Sequence, residues 1–177
     1  EYYEQALVVA RNIEDRHSEG AILGGLGNVY YNLGNASKAI EFYEKQLIIV
    51  LEIGDRRGEG IALGSLGIAY AHVGEAHKAI EFYEKRLVIA NETGDRIGAG
   101  VVLGNLGITY RNLGEYLKAI EFFEKALVIA REIGDRRVEG NNLFNLGTTF
   151  YQQGEKERGI GLTKQALRIY EEIRSPN

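Results

Sequence analysis

The 177-residue sequence contains no cysteine, no methionine and no tryptophan, and it has a single proline. Without cysteine the chain has no disulfide framework, no thiolate nucleophile and no cysteine-ligated metal. Long apolar runs are also missing, because none approaches the ~20 residues that a membrane-spanning helix needs, and no signal peptide is recognisable. The absence of methionine and the glutamate at position 1 lead us to expect a segment of a longer protein.

Neither sign of charge dominates the sequence. Lysine and arginine number 21 and aspartate and glutamate 25, which gives a formal net charge of −4. This balance excludes a strongly basic nucleic-acid module and a polybasic membrane-surface segment. We therefore expect no nucleic-acid partner, no membrane partner and a cytoplasmic location. Glycine, in contrast, is abundant at 23 residues, and with one proline it does not fit a disordered linker.

A tripeptide joint reveals an internal repeat of 40 residues. Gly54-Asp55-Arg56 returns at Gly94-Asp95-Arg96 and Gly134-Asp135-Arg136, and a degenerate copy, Glu14-Asp15-Arg16, precedes them. Repeats of this length are typical of solenoids built from one supersecondary unit. The predicted organisation is a second helix of a truncated repeat at 1–13 and four units at 14–53, 54–93, 94–133 and 134–177.

Each unit is predicted to form two helices. In the unit at 54–93 the first helix runs from Asp55, as N-cap, to Val73, because apolar residues recur there at helical spacing. Gly74 suits the left-handed residue that ends a helix, and a second helix runs from about Ala76 to Thr93. One helix pair cannot bury both of its apolar faces, so the pairs are expected to stack into an all-α solenoid.

The repeat resembles a known family. Leu66-Gly67-x-x-Tyr70, followed by Gly74, Ala79 and Tyr83, is similar to the tetratricopeptide repeat (TPR). The long form, with Gly-Asp-Arg in place of the usual proline, resembles the Leu-Gly-Asn repeats of Pins-type polarity adaptors and the TPR arrays of bacterial signalling proteins. The resemblance implies a right-handed α-solenoid, the TPR superhelix, whose first helices line a concave groove that binds a peptide or helix of a partner.

The resemblance also supplies candidate partner-binding positions in that groove. They are Asn28, Tyr31, Asn32, Ile61, Gly64, Ile68, His72, Val101, Gly104, Asn105, Ile108, Arg111, Asn112, Asn141, Asn145, Thr148 and Tyr151. An apolar centre with a polar rim is typical of an interaction site and suits helix-in-groove recognition. Alternatively, Ile68 and Ile108 pack between neighbouring first helices and are not exposed. The lysines of the chaperone-type carboxylate clamp are missing, so an acidic chaperone tail is not expected.

Glycines recur at three positions of the first helices, for example Gly20, Gly24 and Gly27. Each interior glycine costs about 1 kcal/mol relative to alanine, so packing must offset the loss. One explanation is close helix–helix approach throughout. The other is that Gly24, Gly64 and Gly104 form the floor of the groove and admit a partner closely, while Phe144 plugs one end of it.

Catalytic and metal-binding constellations are not predicted. The three histidines do not share a helix face, and the glycine-rich runs lie inside helices, whereas a dinucleotide-binding loop needs a preceding strand. We expect no catalytic residues, no cofactor, no metal and no enzyme activity. Two functions stay open: an adaptor that binds a segment of another protein, and a sensor or oligomerisation arm of a larger signalling protein that acts within its own chain or homo-oligomer.

The two ends of the array are expected to differ. Gly159 and Thr163 depart from the repeat, and Lys156 and Arg158 add charge, which suggests a polar C-terminal cap with Ser175-Pro176 ending the last helix.

The N-terminal end is instead expected to be a cut surface that finds another apolar surface. We predict self-association through residues 1–13 rather than through the last unit, as a dimer at high concentration or a lattice contact, because the first helix of that repeat is missing. Analytical ultracentrifugation of a variant with Tyr3→Glu and Leu7→Glu should show a monomer. Unchanged self-association of that variant would mean that the interface lies elsewhere.

Overall fold

The computed structural model describes residues 2–174, and within that range the chain forms nine α-helices and no strand. The helices α1 to α9 are Tyr2–Asn12, Arg16–Asn32, Ala36–Glu52, Arg56–His72, Ala76–Thr93, Arg96–Asn112, Tyr116–Glu132, Arg136–Gln153 and Lys156–Arg174. They divide into two compact units, an N-terminal unit that ends at Thr93 and a C-terminal unit that begins at Gly94. Ser175-Pro176, expected to end α9, lies outside the described residues. No described helix is long and apolar enough to cross a bilayer.

The all-α fold of repeated helix pairs is confirmed. The first helices are α2, α4, α6 and α8, each followed by its second helix, α3, α5, α7 or α9, while α1 is a second helix alone. The aspartates expected as N-caps accept hydrogen bonds from the backbone N–H three residues further on, at 2.8–3.0 Å. These bonds satisfy donors that a helix start leaves unpaired, which explains why all four first helices begin immediately after an aspartate.

Left-handed residues end the helices, as expected. Seven glycines, at positions 34, 54, 74, 94, 114, 134 and 154, have φ between 69° and 106°. The joint between α1 and α2 differs, because Glu14 takes the same conformation with φ 57°. A residue with a Cβ atom is strained there by roughly 1–2 kcal/mol. The joint Glu14-Asp15-Arg16 therefore has the same left-handed conformation as the Gly-Asp-Arg joints, although it lacks their glycine.

Paired helices touch where a glycine of the first helix meets an aromatic ring of the second. Gly67 lies against the buried ring of Tyr83, and a Cβ atom added to Gly107 would stand 2.6 Å from the ring of Phe123. In the last pair Gly159 and Thr163 replace the alanine and the aromatic residue. There the backbones themselves meet, because a Cβ atom added to Gly147 would lie 2.7 Å from the carbonyl oxygen of Gly159.

Arginine–glutamate pairs link neighbouring helices on the surface. The arginine that opens each first helix bonds the glutamate 36 residues later on the second helix, as in Arg136 with Glu172 at 2.6 Å. Because both partners are exposed, each such pair contributes little to stability. Glu19 is different, since its side chain is almost fully buried and accepts from Arg11 of α1 at 2.7 Å as well as from Arg16.

The C-terminal end does not present the polar cap that the sequence suggests. Ile160 and Leu167 of α9 are 46% and 55% exposed, whereas their equivalents in α7, Ile120 and Leu127, are buried. In α7 these positions are covered because α8 packs against it. The same apolar positions persist in α9 without a described helix to cover them.

The glycine contacts predict opposite effects for two substitutions in one helix. Gly67→Ala should destabilise the fold by about 1–3 kcal/mol, because the added methyl group collides with the Tyr83 ring. Gly64→Ala, whose nearest neighbour would be the Arg86 side chain at 3.9 Å, should stabilise it by up to about 1 kcal/mol. Urea unfolding of both variants measures the sign of each change in the free energy of unfolding. An equal effect of the two substitutions would contradict the close contact between Gly67 and the Tyr83 ring.

Glu19 predicts a pH-dependent contribution to stability. The hydrogen bond from Arg11, aided by Arg16, lowers the pKa of Glu19 below its ordinary value of 4.5. The ionised Glu19 therefore stabilises the folded state at pH values above its ordinary pKa of 4.5. This contribution is lost as the pH falls through the lowered pKa. Glu19→Gln should be less stable than the parent at neutral pH and equally stable in acid. The exposed Glu41→Gln is the control, and urea midpoints across pH measure the difference.

Candidate functional site

The candidate groove positions lie along one side of the first helices, where Asn28 and Asn141 also accept hydrogen bonds from tyrosines of their own second helices. Within the N-terminal unit α2 contacts α4, and within the C-terminal unit α6 contacts α8. We call this side the inner face of each unit. It comprises Asn28, Tyr31, Asn32, Ile61, Gly64, Ile68 and His72 in the N-terminal unit and Val101, Gly104, Asn105, Ile108, Arg111, Asn112, Asn141, Asn145, Thr148 and Tyr151 in the C-terminal unit. None of these residues is buried.

In the N-terminal unit the inner face is apolar along α4 and aromatic beside it. Ile61 and Ile68 are 51% and 40% exposed, so Ile68 is not sequestered between first helices. The ring of Tyr31 meets the edge of the His72 ring, with centroids 5.4 Å apart, which joins α2 to the end of α4. Asn28 accepts a hydrogen bond from the Tyr43 hydroxyl at 2.7 Å, so its amide oxygen is already used within the helix pair.

Two side chains from second helices reach the inner face beneath the glycines. The amide of Gln46 in α3 lies under Gly24, where an added Cβ atom would be 2.7 Å away, and the Arg86 side chain of α5 lies under Gly64. Gly24 is therefore not open floor, contrary to one of the two explanations above. At Gly64 and Gly104 an added Cβ atom would make only ordinary contacts, with Arg86 at 3.9 Å and Asn142 at 3.5 Å, whereas at Gly27 and Gly67 it would collide with a ring.

Sequence reasoning missed Gln46 and Arg86 as inner-face residues because they belong to second helices. A signal was present, since the equivalent positions in the later repeats are Ala126 and Ala166. The position holds a long polar residue in two repeats and alanine in the other two. This alternation indicates that the long side chains extend between the two helices of the pair to the inner face. In the last repeat Phe144 replaces the glycine, and the residue beneath it is alanine.

Gln46 helps to line a cavity of about 530 Å³ on the inner face of the N-terminal unit. Asn28, Ile61 and Ser65 also border it. The side chain of Gln46 is buried, and its Oε1 atom has no hydrogen-bond partner among the described residues. The cavity thus combines an apolar wall with a buried acceptor.

In the C-terminal unit the inner face is built around Arg111. Its Nη1 atom donates to Asn145 Oδ1 at 3.1 Å and to Thr148 Oγ1 at 2.9 Å, and the guanidinium lies over the Phe123 ring. These partners are neutral, and no carboxylate among the described residues pairs with it. Burial accordingly lowers the pKa of Arg111 below its ordinary value. Val101 is 49% exposed, and Ile108 is half-buried.

Other chemistry is not assembled at the inner face. Among residues 2–174 no group of three or more histidine, cysteine, aspartate or glutamate side chains could hold a metal ion. His17 lies near Asp55 at 3.9 Å, away from His72. The inner face of each unit offers apolar side chains, amide groups and guanidinium groups, all of which can bind a partner.

Repeated helix pairs that expose apolar, amide and guanidinium groups are typical of helical-repeat proteins that bind other proteins. Residues 18–92 and 98–172 match the sequence profile of the tetratricopeptide repeat family. The chain therefore belongs to the tetratricopeptide repeat family, whose fold is typically non-catalytic. No curated protein sequence gave a significant match.

Solved structures of the same fold include proteins of several kinds. BtubC (BKLC) from P. vanneervenii has a TM-score of 0.90 and 23% identity over 99% of this chain and 74% of its own. A STAND protein with a tetratricopeptide repeat sensor from Pyrococcus horikoshii has a TM-score of 0.84 and 24% identity, over 97% of this chain and 27% of its own. The Rap conjugation gene regulator of plasmid pLS20, solved with the Phr* peptide, has a TM-score of 0.76 and 20% identity, over 90% of this chain and 44% of its own. The chain spans about a quarter of the STAND protein.

Proposed function

We propose that the chain is a protein-interaction scaffold whose inner face binds a segment of a partner protein. The observation that carries this proposal is the exposure of Ile61 and Ile68 on α4, with Val101 in the same position of the next repeat as Ile61. A folded chain gains free energy by covering such side chains, and apolar residues flanked by amides are typical of interaction sites. The proposal assigns no catalytic step to the chain.

Polar groups on the inner face indicate the chemistry of the bound segment. Gln46 Oε1 is a buried acceptor without a partner among the described residues, and the wall beside it includes the exposed Ile61. Arg111 is a partly desolvated cation held by neutral groups, which favours a carboxylate from the partner. We therefore expect a segment bound at the C-terminal unit to carry at least one acidic residue, and a segment bound at the N-terminal unit to be apolar.

The comparisons support binding and leave a second role open. The Rap regulator is a structural neighbour that was solved with a peptide bound. The STAND neighbour carries its repeats as a sensor, which favours the alternative that this chain is a sensor arm of a larger signalling protein. The expected cytoplasmic location and the expected absence of nucleic-acid and membrane partners stay predictions.

Two matched isoleucines test the proposal. Peptides selected from a phage-displayed library of random twelve-residue sequences on the parent chain should bind Ile61→Asp much more weakly. Ile48→Asp, equally exposed on α3, should bind them like the parent. Both variants should unfold within about 0.5 kcal/mol of the parent, because both side chains are half-exposed. Calorimetry measures affinity and urea unfolding measures stability.

Equal binding by the two isoleucine variants would contradict the inner-face proposal. Peptides from the same library that still bind Ile61→Asp serve a second comparison at the C-terminal unit. Their sequences should be enriched in aspartate or glutamate, and replacing that residue by its amide should weaken binding to the parent but not to Arg111→Gln. Selected peptides without acidic residues would remove the assigned role of Arg111 while leaving the apolar contact intact.

A further inference from the structure

A second cavity of the N-terminal unit, of about 320 Å³, lies where α3 and α5 both pack against α4. Leu51 of α3, Glu59 of α4 and Val88 of α5 border it, and so do Arg56 and Lys85. We call it the Glu59 cavity. None of these residues belongs to the inner face, so the binding proposed there does not account for the cavity.

Glu59 is mostly buried, but only one of its two carboxylate oxygens is paired. Its side chain is 16% exposed, and its Oε2 atom accepts a hydrogen bond from Arg56 Nη1 at 2.7 Å. Its Oε1 atom has no hydrogen-bond partner among the described residues. A carboxylate withdrawn from water costs free energy unless donors satisfy it, so Glu59 favours a second donor.

Two equivalent glutamates show which donor fits. On α2, Glu19 Oε1 accepts a hydrogen bond from the Nε atom of Arg11 at 2.7 Å. On α8, Glu139 Oε1 accepts one from the Nε atom of Arg131 at 2.9 Å. In both cases the donor stands on the preceding second helix, and the arginine that opens the first helix bonds Oε2. Two independent pairs thus show that the position receives a guanidinium.

A leucine replaces that arginine beside Glu59. Leu51 stands at the position of the two donor arginines, and it is 55% exposed. In the next copy of the sequence both positions change together, to Asn91 and Ala99, so no carboxylate remains there to be paired. Glu59 alone keeps its charge without the second arginine, and an exposed apolar side chain stands beside it.

The charges around the cavity permit a second cation. Arg56 also bonds Glu92 of α5, and Lys85 borders the cavity. These three residues have equivalents of the same charge around Glu19, which are Arg16, Glu52 and Lys45. The arginine of α1 binds Glu19 in that setting, so the same setting admits a guanidinium at Glu59.

We propose that the Glu59 cavity binds an arginine side chain carried by an apolar segment of another protein. Its guanidinium donates to Glu59 Oε1, as Arg11 donates to Glu19 Oε1. The apolar residues beside it cover Leu51 and Val88, which are both more than half exposed. The volume is at the lower end of the range of ligand sites, roughly 300–1,000 Å³, which suits one long side chain. This contact is separate from the inner face, and neither requires the other.

A matched pair of peptides tests the charge of the occupant. The probe is acetyl-Leu-Arg-Leu-amide, and its control carries citrulline, which has the shape of arginine without the charge. In titrations followed by nuclear magnetic resonance, the parent chain should bind the arginine peptide about fivefold more tightly. The shifted signals should centre on Leu51, Glu59 and Val88. Equal affinity for the two peptides, or no saturable binding at millimolar peptide, would overturn the proposal.

Chain variants locate the contact. Glu59→Gln should remove the preference for the arginine peptide, because the amide carries no charge. Glu84→Gln, at an exposed position of α5 away from the cavity, is the matched control and should keep the preference. Ile61→Asp at the inner face should keep it as well, so failure of the inner-face proposal would leave this result unaffected. Circular dichroism verifies that each variant folds.

Restoring the arginine within the chain gives a second test. Leu51→Arg should bring a guanidinium to Glu59 Oε1, as Arg131 does for Glu139, and should therefore lose the preference for the arginine peptide. Glu59→Gln should also lower the urea midpoint more in the Leu51→Arg chain than in the parent, because the two side chains then interact. An equal response of the two chains, or an unchanged peptide preference of Leu51→Arg, would contradict the assigned contact.

Two further outcomes would identify a different occupant and overturn the proposal. Free arginine that binds as tightly as the peptide would show that flanking apolar residues take no part. A dimer seen by sedimentation that Glu59→Gln dissociates would make the occupant a second copy of this chain.

Discussion

Close approach of the two helices in each pair is the constraint on which the structure depends. It requires a glycine on the first helix wherever the second helix presents a ring, as Gly67 does for Tyr83. Such a glycine weakens the helix by about 1 kcal/mol, and the buried ring offsets that loss through the area it covers. The last pair meets the same requirement differently, because Gly159 lets the two backbones touch where no ring is present.

The same residue type has a second role one turn earlier in the first helices. Gly64 and Gly104 have room for a Cβ atom beside Arg86 and Asn142, and beneath Gly24 the side chain of Gln46 takes the place of a Cβ atom. Glycine there leaves room for what the second helix carries at that level, which is Gln46 or Arg86 in the N-terminal unit and the buried Ala126 in the next repeat. The chemistry of the inner face therefore depends on both helices of a pair.

Local features were predictable from the sequence because they depend on neighbouring residues alone. Asp55 as N-cap, Gly74 as the left-handed end and the bounds of α5 all follow from backbone chemistry within a few positions. The exposure of Ile68 was open at that stage, since helical periodicity does not distinguish a groove from a contact between first helices. Gln46 was missed because it belongs to a second helix but reaches the inner face beneath a glycine of the first helix. The uncovered face of α9 was missed because the sequence pattern of a repeat is the same whether or not another helix packs against it.

The joint at Glu14 has a consequence for how the chain holds together. Helix α1 buries only Ala10, and its connection to α2 contains a strained left-handed residue in place of the glycine used elsewhere. Both features lower the free energy needed to detach α1 relative to the later second helices. Detachment of α1 would remove the ring of Tyr3 from its contact with Gly25 and uncover α2 at that point.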